Sequence, residues 1–157
     1  LANDALKLYL NFQGGKYNDS TKGNQLDLVL TQLLSEKFSI GYNGSIASYK
    51  TKENGKYGGS NEWWGSAVYL NFDPKSWLGL TLRTEYFSDK KQMNVFGIAP
   101  VGGNIIASTL SANFKIDNLT IIPEFRFENG SEPIYFKSSG EQVKNAANIL
   151  VAAVYKF

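Results

Sequence analysis

Five apolar residues close the chain at alternate positions: Ile149, Val151, Ala153, Tyr155 and Phe157. In a β-strand every second side chain falls on one face. This end therefore carries a continuous apolar stripe that stops on an aromatic ring. A soluble sheet rarely leaves so long an apolar row on an edge strand, because bare edges aggregate. The chain is thus restricted to folds that cover such a face. The other face of the same segment, Leu150, Ala152 and Val154, is apolar as well, and is expected to pack on something rather than touch water.

Seven earlier segments alternate in the same way. They are Leu6 to Gln13, Leu26 to Leu34, Phe38 to about Tyr49, Trp63 to Phe72, Trp77 to Phe87, Ile105 to Ile116 and Leu119 to Phe127; the eighth is Asn148 to Phe157. Each has an apolar row, such as Leu110, Ala112, Phe114 and Ile116, and a more polar one, such as Thr109, Ser111, Asn113 and Lys115. A helical period of 3.6 does not compete. The segments are about the 9–11 residues that cross a bilayer at a tilt. Their connections alternate in length. Ser35–Lys37, Asp73–Ser76 and Asp117–Asn118 read as tight turns, whereas 14–25, 50–62, 88–104 and 128–147 read as longer loops. Short turns on one side and long loops on the other are the pattern of outer-membrane barrels. An even strand count puts both termini on the short-turn side. Pro123, inside the seventh segment, cannot donate to a ladder and marks a bulge or a locally unpaired site.

Composition agrees and removes alternatives. Hydrophobic residues make up 43% and charged residues 19% of the 157, against roughly 25% charged in an ordinary soluble domain. No run of about 18 apolar residues offers a transmembrane helix; alternation lets a barrel hide its apolar content behind a mean hydropathy of −0.26. The chain has no Cys and no His. It lacks thiolate chemistry, the commonest general base and the commonest metal ligand. Basic residues are scattered and the net charge is +2, so no nucleic-acid partner is expected. The chain opens on Leu1 without Met or a signal peptide, and reads as a mature protein or part of a longer one.

Several segments resemble the β-barrel porin family of Gram-negative outer membranes. They are Trp63-Trp64-Gly65, the run from Trp77 to Asp89, Thr109 to Phe114, Ile122 to Arg126, and the terminal Tyr155-Lys156-Phe157. The match is spread over roughly the last two thirds of the chain and falls on the C-terminal half of family members. The resemblance implies an outer-membrane protein for passive diffusion, with this chain as one domain or as the C-terminal part of a larger barrel. It implies that Tyr155 and Phe157 form the terminal signal read by the barrel assembly machinery. Outer-membrane lipid and lipopolysaccharide are further expected partners, as is a second copy or a larger membrane complex.

The chemistry-bearing residues are few. Arg83 and Glu85, Lys115, and Glu124, Arg126 and Glu128 share the polar side of neighbouring segments. They read as a charged lumen wall that selects ions or solutes, or as a buried ion-pair network that plugs a narrow barrel. A catalytic carboxylate pair is a third reading. Trp63, Trp64 and Trp77 read as an interfacial girdle; Trp63, whose parity points inward, could also stack on a sugar. The loop 88–104 carries Met93, Phe96, Ile98 and Pro100. It is apolar for a surface loop, and reads as a constriction folded into the lumen, a docking surface or an ordinary mobile loop.

The expected fold is an all-β, antiparallel, up-and-down transmembrane β-barrel with eight strands in this chain. The expected function is a non-enzymatic, porin-like channel of the bacterial outer membrane, with termini periplasmic and long loops extracellular, needing no cofactor or metal. Two alternatives stay open: a closed eight-stranded barrel with a structural or partner-docking role, and a soluble lipocalin-like binding barrel.

Overall fold

The computed structural model describes residues 5–157. The strands in chain order are β1 (Leu6–Lys16), β2 (Thr21–Ser35), β3 (Phe38–Glu53), β4 (Lys56–Tyr57), β5 (Asn61–Lys75), β6 (Leu78–Asp89), β7 (Gly103–Ile116), β8 (Leu119–Gly130), β9 (Tyr135–Phe136), β10 (Gln142–Val143) and β11 (Asn145–Tyr155). Eight long strands form one sheet in the order β1-β2-β3-β5-β6-β7-β8-β11, every neighbour antiparallel. Strand β4 hangs on β3, and β9 pairs with β10 in a small separate ribbon. All eight expected strands are present, and the topology is the up-and-down meander that the sequence predicts.

Register explains why alternation was so consistent. One rung runs Leu6, Gln32, Ile40, Leu70, Leu82, Leu110, Phe125 and Ile149; the next runs Leu8, Leu30, Tyr42, Val68, Thr84, Ser108, Phe127 and Ala147. A one-residue slip anywhere would throw an apolar row onto the polar face. The apolar side chains thus join into one continuous surface across eight strands. That surface is the exposed one: Phe12 is 71% and Leu110 56% accessible. The sheltered positions of the sheet lie mostly on the other face, where Ala47, Ala67, Ala107 and Thr109 are all buried. This arrangement is the inverse of a soluble sandwich or lipocalin, which turns its apolar rows inward. An exposed apolar surface of this extent is stable only in contact with apolar solvent, as on the lipid side of a barrel.

Aromatic rings mark both ends of the apolar face. Trp64 packs on Tyr86 at 4.9 Å towards the long loops, while Phe38 meets Phe72 at 6.4 Å and Trp77 stacks on Phe114 at 6.4 Å towards the tight turns. Trp64 and Phe72 are eight residues apart on β5, roughly 26 Å along a strand. That matches the apolar band and flanking girdles of an outer-membrane wall.

The strands run further than alternation alone indicates. β1 extends to Lys16 and β2 begins at Thr21, so 14–25 is a hairpin with a short tip and not a long loop. Asn18 Oδ1 accepts hydrogen bonds from the backbone N–H of Ser20 and Thr21 at 2.8 and 2.7 Å, an Asx turn that closes the tip. β3 likewise continues to Glu53 and turns into β4 through Asn54 and Gly55, both at positive φ, as a tight hairpin requires. Pro123 produces a gap rather than a bulge. Ser111 pairs with Glu124 and Phe114 with Ile121 in one unbroken register, with the two intervening rungs unpaired. On the other side Pro123 opposes Val151 in regular register.

Two edges remain. β1 pairs only with β2, and β11 only with β8. The sheet is therefore open between β1 and β11 among the described residues, where closure was expected. Both edges are apolar: Leu10 is exposed on β1, and Ile149 (79%), Leu150 and Val151 on β11.

Candidate functional site

The polar face carries its charges in two consecutive rungs. The first runs Lys7, Thr31, Gly41, Tyr69, Arg83, Thr109, Arg126 and Asn148; the second runs Tyr9, Val29, Asn43, Ala67, Glu85, Ala107, Glu128 and Ala146. Both arginines thus lie on one level and two glutamates on the level next to it. Each arginine has a glutamate two residues along its own strand, and Arg126 and Glu85 stand diagonally across β7.

The side chains use that placement. Arg126 donates from Nε to Glu128 Oε1 at 2.8 Å, from Nη1 to Thr109 Oγ1 at 3.0 Å, and from Nη1 to Glu85 Oε2. Arg83 Nε lies 3.5 Å from Glu85 Oε2, and its Nη2 is 3.4 Å from Thr109 Oγ1. Glu85 is therefore shared by two guanidinium groups, and Thr109 sits between them. The small residues Ala107 and Thr109 on β7, 3% and 2% accessible, leave room for the arginines of β6 and β8 to meet across the intervening strand. Two positive and two negative charges cancel, so the network is locally neutral.

Four of the six expected cluster residues therefore come together: Arg83, Glu85, Arg126 and Glu128. The other two do not join. Glu124 lies one rung below, opposite Ser111 and Leu150. Lys115 is at the tight-turn end, 3.6 Å from Asp73. Thr109 belongs to the network and was missed; its position between two charged strands on the polar face was the available signal.

Two long connections fold over this wall. Between β6 and β7 the chain makes a short 3₁₀ turn, Val95–Ile98. Asp89, fully buried at the end of β6, holds it: the backbone N–H groups of Met93, Asn94 and Phe96 donate to its carboxylate at 2.6, 2.8 and 3.2 Å. Gln92 Nε2 donates to the carbonyls of Ala99 at 2.7 Å and Phe96 at 3.3 Å. Phe96 is fully buried with Ala99 and Ile134, against Ile105 and Tyr135. Gly103 is obligatory beneath it, since a Cβ there would collide with the Phe96 ring and the Ser131 hydroxyl. Ile105 and Gly103 share the face of Glu85 and Thr109, so the loop is anchored on the polar side of the sheet. Of the four loop residues singled out by sequence, Phe96 is the anchor; Met93, Ile98 and Pro100 stay exposed.

The connection between β8 and β11 packs beside it. Ser131 Oγ accepts from the N–H of Asn104 at 3.0 Å, and Lys144 Nζ donates to the Ser131 carbonyl at 2.6 Å. Burial, and then the nearby Glu128 carboxylate, push the Tyr135 phenol up to about 12. Asp89 and Tyr135 were not legible in the sequence, because their roles exist only once the loops are folded.

The polar face of β1–β5 is built differently. Gln13 donates to Gln25 at 3.2 Å, and Gln25 to Asp27 and Ser45 at 3.0 Å each. Nearer the turns, Asn71 donates to Ser39 at 3.3 Å and accepts from Thr81 at 2.8 Å. Trp63 also faces this side, packed against Phe87 at 5.7 Å, so its inward parity is realised but its ring is occupied in part by a neighbour. Among the described residues no group of three or more acidic, Cys or His side chains gathers as a metal site.

An eight-stranded meander that exposes its apolar face and shelters a polar one is the wall of an outer-membrane β-barrel. The whole chain, residues 1–157, matches the family model "Putative beta-barrel porin-2, OmpL-like", and the protein belongs to that family. The match is wider than the last two thirds that the residue motifs cover. No curated protein and no solved structure matches the chain.

Proposed function

We propose that the chain forms part of the wall of a porin-like channel for passive diffusion of small polar solutes or ions, with the polar face towards a water-filled lumen. The observation that carries this reading is the inverted sheet, exposed where it is apolar and sheltered where it is polar. Backbone groups at a free edge in lipid lack partners, so β1 and β11 must each be paired. Eight strands closed on themselves leave an interior only wide enough for side chains. Further strands between β11 and β1, from the same chain or another copy, give the room that a conducting pore needs. The charged rung and the Phe96 loop then narrow the lumen on the β6–β8 side. The long loops face outward and the turns face the periplasm, where Tyr155 on the free edge offers the assembly machinery its contact. The activity is channel-like and non-enzymatic.

A closed eight-stranded barrel is the second reading, favoured by the neutral network that could fill a narrow interior. Single-channel recording of protein extracted from native outer membranes, with intact mass on the same sample, separates the two. Steady conductance steps with a mass or oligomer well above 17.4 kDa support the channel. Silence from a species near that mass supports the plugged barrel.

A further inference from the structure

Three lysines that are far apart in sequence stand side by side on the outer face. Lys16 pairs directly with Lys22, and Lys22 directly with Lys50. They share the face of Phe12, Leu26 and Ile46, which oppose one another four residues nearer the middle of the same strands. Like charges directly opposite on adjacent strands repel, and none of the three makes an ion pair among the described residues. Lys22 Nζ sits 4.2 Å above the Tyr57 ring, joined there by Lys52 at 5.3 Å. Such contacts hold cations in place without cancelling their charge. The nearest acidic side chain on this face in the sheet register is Glu62, one rung closer to the apolar band, where it accepts from Ser48 Oγ at 3.4 Å. Asp19 lies at the hairpin tip, and Glu53 opposes Lys56 at the other.

Between the lysines lies a groove of about 550 Å³, floored by Gly14, Asn24 and Ser48. The absent side chain at Gly14 and the short ones at Asn24 and Ser48 leave the floor open to an incoming group. Four residues above the Phe12 rung is roughly 13 Å along the strand, less at a barrel tilt. That places the ammonium groups at the headgroup level, just outside the hydrocarbon. A row of cations at this height, on the lipid-facing side, meets lipid phosphate before it meets anything else.

We propose that Lys16, Lys22 and Lys50 form a binding site for the phosphate of an outer-leaflet lipid, of the lipopolysaccharide type, with its acyl chains along Phe12 and Leu26. The site rests on the orientation in which the long loops face outward. It does not depend on the lumen.

The test is native mass spectrometry of the detergent-purified protein with three probes: diphosphorylated lipid A, the same lipid with its phosphates removed, and inorganic phosphate. Wild type retains the phosphorylated lipid at least tenfold more tightly than the dephosphorylated one. The variant K16Q/K22Q/K50Q loses that preference, while K137Q, which removes a lysine paired with Glu141, keeps it. Unchanged preference in the triple variant, or equal retention of both lipids by wild type, overturns the site. Displacement of the lipid by millimolar inorganic phosphate overturns the lipid assignment in favour of a free anion. The triple variant relieves repulsion and should fold, which circular dichroism checks, and its conductance should be unchanged. The chain has no cysteine, so N54C in the β3–β4 hairpin can be labelled on intact cells with an impermeant maleimide. Labelling supports the outer leaflet, and its absence overturns it.

Discussion

The two halves of the sheet share one outer face and have different inner ones. On β6–β8 the inner face is charged, cross-braced by arginines and covered by two loops that fold back onto it. On β1–β3 it is neutral overall, with Lys7 and Asp27 set among Gln13, Gln25, Asn43 and Ser45, and its hairpins close at their tips without covering it. The outer face has to satisfy one solvent, lipid, and so repeats the same apolar alternation on all eight strands. The inner face has no such uniform demand. One wall is a cross-linked, electrically balanced surface and the other an open surface rich in amides and hydroxyls.

The largest expected effect tests the shared part. Lys in place of Leu110 on β7 should cost roughly 2–4 kcal/mol of folding stability in bilayers. Leu8→Lys on β1 should cost a similar amount, because both lie on the lipid side. Urea titration of folding into vesicles measures this; a large cost at only one of the two would mean that the halves do not face the same medium.

The braced wall comes next. Arg126→Gln leaves Glu85 and Glu128 short of a partner. Stranding a fully buried charge costs about 3–5 kcal/mol, and partial exposure of these side chains, about a fifth to a quarter, reduces that to roughly 2 kcal/mol. On the neutral wall, Gln25→Ala should cost about 1 kcal/mol or less. If the two substitutions cost the same, the distinction between the walls is wrong. In a conducting pore the double variant R83Q/R126Q should also move reversal potentials towards cation selectivity, since Glu85, Glu124 and Glu128 then stand unopposed.

The covering loop gives a more local contrast. Asp89→Ala removes the acceptor of three N–H groups and should free the 3₁₀ turn, so that protease cuts between residues 90 and 102 far faster than in wild type. Asn18→Ala at the tip of the uncovered hairpin should loosen only that turn.

The smallest effect is a pH dependence. A Tyr135 pKa raised above its unfolded value means that the folded state holds this proton more tightly. Its contribution is fully present below pH 10 and is lost as pH rises to about 12. Alkaline titration followed by hydrogen exchange should show the β8–β11 connection loosening in that window, and Tyr135→Phe should remove the dependence.

Much of this was legible in the sequence because alternation and register carry the same information. Leu110, Leu82 and Phe125 could be placed on one face from parity alone. Parity also put Arg83, Glu85, Arg126 and Glu128 together. It could not exclude Lys115, which has the right face but lies at the wrong height. Strand ends were hidden where both faces turn polar, as at Gly14-Gly15-Lys16 and Lys50 to Glu53. The lysine rung was invisible for a related reason: Lys16, Lys22 and Lys50 look scattered until cross-strand pairing aligns them. Asp89 fell within the expected loop 88–104, and nothing in the sequence showed that three backbone donors would turn towards it.

The central claim is that polar parity faces water and apolar parity faces lipid. Single cysteines placed along β3 in this cysteine-free chain test it directly. With the protein in lipid bilayers, a small charged maleimide should modify cysteines at Ser39, Asn43 and Ser45 and step the conductance down. Cysteines at Ile40, Tyr42 and Ile46 should stay unmodified. Equal modification of both sets, or modification of the apolar set alone, would contradict the account.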